Sequence, residues 1–361
     1  MDYIQNPFFP AGLEKPSYVE VLNENSHILL KLLDLCPMYM PTDLYEKKSL
    51  AKDLGLNSIL LKDERTRFNL GSFKATGAIY AIAKIAYSRL GSENNLTLED
   101  FKRTLRGVTF VTASAGNHGI SMSVGAKLFG AKAIVFLSKN VPKTFAEKLK
   151  LMGADVKFQG RNYEESMIEA EKHAIENNYV LLSDSTWKTC QSGIDVMEGY
   201  MIIGNEIRNQ LLSYNSDGIT HVFLQAGVGG FAAAIALSLR KFLRKDVQII
   251  VVEPSQAKTL FMSLQNGKPS VAEGDVSIMG RLDCKEPSLS AFYSLSKTAN
   301  YFMHIRDDYV MDKIRKLSDF GISTSPSGGA GVAALIYACE NQLFGISRNS
   351  SPLVFLTEGE V

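Results

Sequence analysis

Apolar residues recur along the chain in two rhythms. Short apolar runs bounded by turn residues, at 108–113, 131–137, 155–158, 179–182, 221–225, 247–252, 301–305 and 353–356, predict strands. Longer stretches with helical spacing, at 119–129, 143–152, 162–178, 191–213, 231–243, 307–319 and 330–344, predict helices. In 162–178, Tyr163, Met167, Ala170 and Ala174 fall on one face, which reads as core. Alternation of strand and helix through short turns requires βαβ units and a mostly parallel sheet. Residues 1–56, broken by Pro7, Pro10, Pro16, Pro37 and Pro41, read as an irregular or helical wrapping arm. The polar stretch 91–106 is the best boundary candidate in the first half, and no short repeat or low-complexity segment interrupts the pattern.

Composition narrows the class. The 361 residues suit two lobes, each able to bury a core. Apolar residues make up 45% and charged residues 21%, with 39 basic against 38 acidic side chains. No global field attracts nucleic acid or an anionic membrane, so neither is an expected partner. Cys36, Cys190, Cys284 and Cys339 are scattered, without paired spacing or a nearby histidine pair. They indicate no metal site and no disulfide framework, and they fit a reducing cytoplasm. No leader pattern and no uninterrupted apolar run of about 18 residues is seen.

The stretch with the clearest chemistry is Asn69-Leu-Gly-Ser-Phe-Lys-Ala-Thr-Gly-Ala-Ile-Tyr80. A strand at 58–64 and a polar loop at 65–71 deliver Ser72 and Lys74 to the head of a helix that carries no charge from 75 to 83. Burial there disfavours the ammonium and leads towards the neutral amine that forms Schiff bases. A lysine at a helix start can equally snorkel to solvent.

Three glycine-rich turns each follow a strand and precede a helix, where backbone N–H groups and the helix dipole can hold an anion. They are Ser114-Ala-Gly-Asn-His-Gly119, Gly227-Val-Gly-Gly-Phe-Ala232 and Ser325-Pro-Ser-Gly-Gly-Ala-Gly331. Any of them can exist only because a tight connection needs glycine. The second fits a dinucleotide fingerprint, with Glu253 ending the next strand where a ribose-binding acid would stand. That pattern leaves Ser72-Phe-Lys74 and the Asn117-His118 pair unexplained, whereas a pyridoxal phosphate site uses them all.

In order and approximate spacing, Ser72-Phe-Lys74, Ser114 to Gly119 and Gly227 to Phe231 resemble the fold type II family of pyridoxal-phosphate-dependent enzymes, over most of the chain. Within it, Arg67-Phe-Asn-Leu-Gly, Arg161-Asn-Tyr-Glu-Glu, Ser183-Asp-Ser-Thr-Trp187, Val252-Glu-Pro254, 275–287 and Leu356-Thr-Glu-Gly359 are similar to the diaminopropionate ammonia-lyases. The resemblance implies a tryptophan synthase beta-like α/β fold of two lobes, with parallel or mixed sheets flanked by helices. A large cofactor-binding domain would comprise 1–102 and 165–361, and a small one 103–164. It further implies that Lys74 carries pyridoxal 5'-phosphate and abstracts the α-proton. Asn117 would meet the ring hydroxyl, Gly227, Val228, Gly229 and Gly230 the phosphate, and Thr357 the ring nitrogen. Asp184 would hold or polarise a β-amino group, although a strand-end aspartate can instead cap residues 185–188. Ser114, Ala115, Gly116, His118 and Arg281 complete the substrate side. His118 reads more readily as a turn-stabilising group, and Arg281 equally as a surface or interface arginine. The lone Trp187 is expected to pack near the site.

One departure bears on stereochemistry. The ammonia-lyase pattern has an aspartate, the base for the D-isomer, where this chain has Ala115, and alanine moves no proton. The expected reaction is α,β-elimination on a β-substituted L-amino acid such as 2,3-diaminopropionate, giving pyruvate or another 2-oxo acid and ammonia, in a cytoplasmic homodimer. β-Replacement, serine or threonine dehydration, a cofactor-retaining binding protein and, remotely, NAD-dependent oxidoreduction are the alternatives.

Overall fold

Strands buried on both faces cannot alternate apolar with polar residues, which is why several runs in this chain are apolar throughout. In the computed structural model, which describes residues 1–23, 28–91, 96–212 and 218–360, His221–Gln225, Thr109–Ala113 and Pro352–Leu356 are buried at every position. In chain order the strands among the described residues are β1 (Tyr3–Gln5), β2 (Leu44–Glu46), β3 (Leu60–Asp63), β4 (Thr109–Ala113), β5 (Lys132–Leu137), β6 (Ala154–Phe158), β7 (Val180–Leu181), β8 (His221–Gln225), β9 (Gln248–Pro254), β10 (Tyr301–Ile305) and β11 (Pro352–Leu356). They form two sheets, ordered β1-β10-β9-β8-β11-β3-β2 and β6-β5-β4-β7.

The first sheet belongs to a compact unit made of Met1–Glu24, Pro41–Thr66 and Ile203–Val361. Its inner strands are parallel, and its edges are closed by β1 against β10 and β2 against β3, both antiparallel. The arm of residues 1–56 therefore supplies both edge strands. Three-residue strands leave no periodicity to read, and tertiary bonds fix this one: Asn6 Nδ2 donates to the carbonyls of Ser296 and Ala299, each at 2.8 Å. After β8 the helix Gly230–Arg240 is buried from Gly230 to Leu239. The core of this unit includes Phe223, Ile250, Met303, Leu335 and Val354.

The second unit comprises Asn25–Met40 and Arg67–Ile202 and contains the wholly parallel sheet. Helix Lys74–Leu90 packs on helix Asn117–Leu128 in this unit, because Gly125 lets Ile79 and Ile82 come close. β7 joins the same sheet beside β4. Such contacts join distant segments and have no local signature. Val111, Ala113, Phe136, Ala170 and Ala174 are buried together, with Met167 partly buried against them. Tyr163, expected in the core, is 50% exposed at the first turn of helix Tyr163–Asn177. Of the expected linker, 92–95 lie outside the described residues, and Leu98–Thr104 is a helix opened by a capping box of Thr97 and Asp100. The last residue of the expected helix 191–213 also lies outside; Gly193–Leu211 is helical. Among the described residues no helix is long and apolar enough to cross a membrane.

Two glycines bring the Lys74 helix and helix Gly193–Leu211 together. A Cβ on Gly77 would stand 2.4 Å from Tyr200 Cε1 and 2.6 Å from the Val196 carbonyl oxygen, and one on Gly199 would stand 2.6 Å from the Thr76 carbonyl oxygen. Gly77→Ala should therefore lose about 1–3 kcal/mol of stability through overpacking, although alanine is the better helix former by roughly 1 kcal/mol. Urea unfolding, read as a lowered midpoint at unchanged slope, checks this.

Candidate active site

Lys74 opens helix Lys74–Leu90, and every residue from Ala75 to Ala83 is buried, as the uncharged run predicts. Ser72 Oγ lies 3.4 Å from the Lys74 backbone nitrogen and accepts its N–H. The Lys74 side chain is only 21% exposed, and Nζ donates to Asp184 Oδ2 in a direct ion pair. The amine is thus not stranded in an apolar helix head, as burial alone suggests. A carboxylate meets it.

Asp184 follows β7. Ser183 Oγ accepts the Ser185 N–H at 3.1 Å, and the Asp184 carboxylate meets Lys74. Burial opposes ionisation of the carboxylate, but the Lys74 ammonium and its hydrogen bond hold it well below the usual carboxylate range. His118 is 3% exposed, and its Nε2 lies 3.0 Å from the carbonyl oxygen of Leu182 at the end of β7. Burial pushes its pKa down, so it is neutral at physiological pH and Nε2–H donates. It ties the 114–119 turn to the segment that carries Asp184. In that turn Ser114 Oγ accepts the Gly116 N–H at 3.3 Å, Ala115 and Gly116 are half-buried, and Asn117 is the first residue of helix Asn117–Leu128. Trp187 backbone groups bridge to Cys190 just beyond Asp184.

The other unit holds the remaining candidates. Gly227, Val228 and Gly229 link β8 to helix Gly230–Arg240, with Gly229 at the N-cap in the left-handed region (φ +97°). A Cβ on Gly227 would be 3.0 Å from Cys284 Sγ, so the bend has room for backbone only. Thr357, just after β11, is 4% exposed; its Oγ1 accepts from Gln225 Nε2 at 3.2 Å. Arg281 is a third exposed, and its Nε stands 4.0 Å from Glu358 Oε2, while the other oxygen of Glu358 accepts from Ser325 Oγ at 2.5 Å. Arg281 is therefore engaged beside Thr357 and is not a bare surface arginine. The third glycine turn is consumed by capping: Ser325 Oγ accepts the Gly328 N–H at the start of helix Pro326–Glu340.

Glu253 rules out the ribose contact. It is 1% exposed, and its two oxygens accept the backbone N–H groups of Leu260 and Phe261 at 2.7 and 2.8 Å, at the start of helix Thr259–Asn266. A carboxylate spent on a buried helix start is closed to a nucleotide. Sequence reasoning missed Gln225 and Tyr200. Tyr200 is 1% exposed and stands edge-on to Phe73 at 4.9 Å.

One unit offers a primary amine, and the other offers a turn of backbone N–H groups at a helix start and a buried threonine hydroxyl, which are the kinds of group that pyridoxal phosphate uses for its aldehyde, its phosphate and its ring. The residues fit the cofactor. Residues 35–356 match the family model described as pyridoxal-phosphate dependent enzyme. The chain belongs to that family of enzymes, in its fold type II form, and pyridoxal 5'-phosphate is its cofactor. Among curated proteins it is 32% identical over 344 residues to the diaminopropionate ammonia-lyase of Salmonella typhimurium, covering 90% of this chain and 85% of that one. Among solved structures it is similar to the Escherichia coli diaminopropionate ammonia lyase in complex with D-serine, with TM-score 0.88, 25% identity and coverage of 99% and 94%. The same enzyme in complex with an aminoacrylate-PLP azomethine reaction intermediate gives TM-score 0.85 at 25% identity, with coverage of 99% and 94%.

The depressed carboxyl of Asp184 makes stability depend on pH. Its contribution is whole above the ordinary aspartate pKa and is lost as pH falls through the lower folded value. Asp184→Asn should be less stable than the wild type near neutral pH by about 1–2 kcal/mol, since the pair is only partly buried. The gap should close as acid is added below the ordinary aspartate range. Thermal unfolding of both proteins across acid to neutral pH checks this.

Proposed function

We propose that the chain is a lyase acting on a β-substituted L-amino acid, with 2,3-diaminopropionate as substrate. Pyruvate forms, both nitrogens leave as ammonia, and one water is consumed. The contact between Lys74 and Asp184 carries this reading. Bound pyridoxal phosphate supplies the electron sink that lets a proton leave the α-carbon. Lys74 Nζ would hold the cofactor's aldehyde carbon between turnovers and, once released from it, take the α-proton. Asp184, held ionised, would receive the substrate's β-ammonium and keep that nitrogen protonated as its bond to carbon breaks.

The backbone N–H groups of Gly227, Val228, Gly229 and Gly230 would hold the phosphate, Asn117 the ring hydroxyl and Thr357 the ring nitrogen. Ser114, Ala115 and Gly116 would receive the substrate carboxylate at the start of their helix. Neutral His118 would keep that turn against Leu182. Arg281, half-neutralised by Glu358, would offer its remaining N–H groups to a substrate oxygen. Cys36, Cys190 and Cys339 are free thiols, which supports a cytoplasmic protein. By family likeness the working form is a homodimer.

Lysine reaches the α-carbon from one side, and Ala115 offers no base on the other. Pyruvate and ammonia should be released from L-2,3-diaminopropionate, while the D-isomer turns over at no more than about a hundredth of that rate, the scale of losing one general base. Comparable rates on the two isomers refute the assignment. Ala115→Asp should raise D-isomer turnover by about tenfold or more. Incorporation of an added thiol in place of pyruvate release would mark β-replacement.

Lys74→Ala should abolish borohydride-fixed attachment of the cofactor, read by peptide mass, and lower kcat by about three orders of magnitude or more, as for a residue serving as both nucleophile and base.

A further inference from the structure

Between helix Tyr163–Asn177 and the turn at 189–192 the second unit holds a cavity of about 510 Å³. That volume lies within the roughly 300–1,000 Å³ of small-molecule sites. An ion the size of a water molecule, about 30 Å³, would leave most of it unfilled. None of the residues placed in the reaction lines it.

Its walls set the chemistry of an occupant. Part of the lining is apolar, with Ala174, Leu181 and Ile175, the last 75% exposed. The polar part is rich in acceptors. Glu171 Oε1 accepts the hydroxyl of Thr189 at 3.2 Å, and among the described residues no lysine, arginine or histidine lines the cavity. Gln191 Nε2 donates to the Trp187 carbonyl oxygen at 2.8 Å. A carbonyl only accepts, so the amide nitrogen faces it and the orientation of Oε1 is fixed. That Oε1 is buried, with no hydrogen-bond partner among the described residues. Burial pushes the Cys190 thiol up, against the hydrogen bonding of Ser192, so it adds no charge to the lining.

A carboxylate and a buried amide oxygen with no cation beside them disfavour an anion, and a ligand that only accepts leaves both unpaired. A cation with several N–H donors can pair with both, while a short alkyl stem covers Ala174, Ile175 and Leu181. The turn that closes the cavity is also bonded to the segment that carries Asp184. Ser192 Oγ accepts the Ser183 N–H at 3.1 Å, and Leu181 belongs to β7, which leads into Asp184. Trp187 and Cys190 exchange backbone hydrogen bonds at 3.0 and 3.1 Å, so the turn is tied back on itself.

We propose that this cavity is an effector site for a small free cation with several N–H donors on a short alkyl stem, an alkylguanidinium or alkylammonium, coupled to Asp184 through Ser192 and Ser183. A ligand that holds the 189–192 turn fixes Ser192 and hence the backbone that presents Asp184 to Lys74. By reciprocity, a change at Asp184 alters the affinity of the ligand. Affinity is the readout, independent of the reaction the enzyme runs.

The test is titration calorimetry of the holoenzyme with butylguanidinium, whose permanently protonated group forms no imine with the cofactor aldehyde. Saturable binding to one site per chain is expected. Butylurea has a similar shape without the charge, and Glu171→Gln keeps the size of the side chain. Each change should weaken binding by about tenfold or more, the scale of a charge-assisted hydrogen bond. No binding, equal affinity for butylurea, or an affinity that ignores Glu171→Gln overturns the site. Asp184→Asn should change Kd by about fivefold or more. In a Ser192→Ala background the same substitution should change it by less than about twofold, the scatter of independent sites. A through-space effect of the Asp184 charge survives Ser192→Ala, and so does binding at Asp184 itself. A dependence that persists there, or none in the wild type, therefore overturns the coupling. Where Ser192→Ala does not fold, Ser192→Cys, with a weak acceptor of similar size, replaces it and is read in the same way.

Discussion

The site depends on the ion pair between Lys74 and Asp184, residues 110 positions apart. A lysine nitrogen at the head of a helix of buried small residues would lose hydration without compensation. A carboxylate with the same burial would protonate. Together each makes the other's charge tolerable. The pair also holds the amine in one orientation.

Much of the surrounding structure serves to leave those two groups available. Ser183 takes the N–H of Ser185, and the Asp184 carboxylate meets Lys74. His118, buried and neutral, ties the carbonyl of Leu182 and so the end of β7 to the 114–119 turn. Gly77 and Gly199 allow the Lys74 helix to lie against helix Gly193–Leu211. In the other unit the same logic governs Thr357, whose hydroxyl is directed by Gln225, which is in turn held by two carbonyls. The groups proposed for chemistry are thus oriented by buried neighbours.

Those neighbours divide into residues that a sequence announces and residues that it does not. Glycine turns and an uncharged helix after a lysine are local features, and they were legible because backbone approach and burial constrain residue type directly. Gln225 and Tyr200 had no such mark: a glutamine at a strand end and a tyrosine in a helix are ordinary until their partners are known. Glu253 went the other way. Its position at the end of β9 matched a nucleotide-binding acid, and only the fold revealed that two backbone N–H groups at a helix start consume it.

The sequence by itself determined the alternation of strand and helix, the candidate amine, the glycine turns and the family, because periodicity, burial and glycine content act over a few residues. It could not determine that the proline-rich arm closes both edges of a sheet, that Tyr163 is half exposed, or that Asn25–Met40 joins Arg67–Ile202 in the compact unit around Lys74. Only the tertiary structure decided which carboxylate meets Lys74, which one caps a helix and which amide directs Thr357. Those outcomes depend on pairing between residues far apart in the chain, and nothing in the local order of amino acids specifies such a distance.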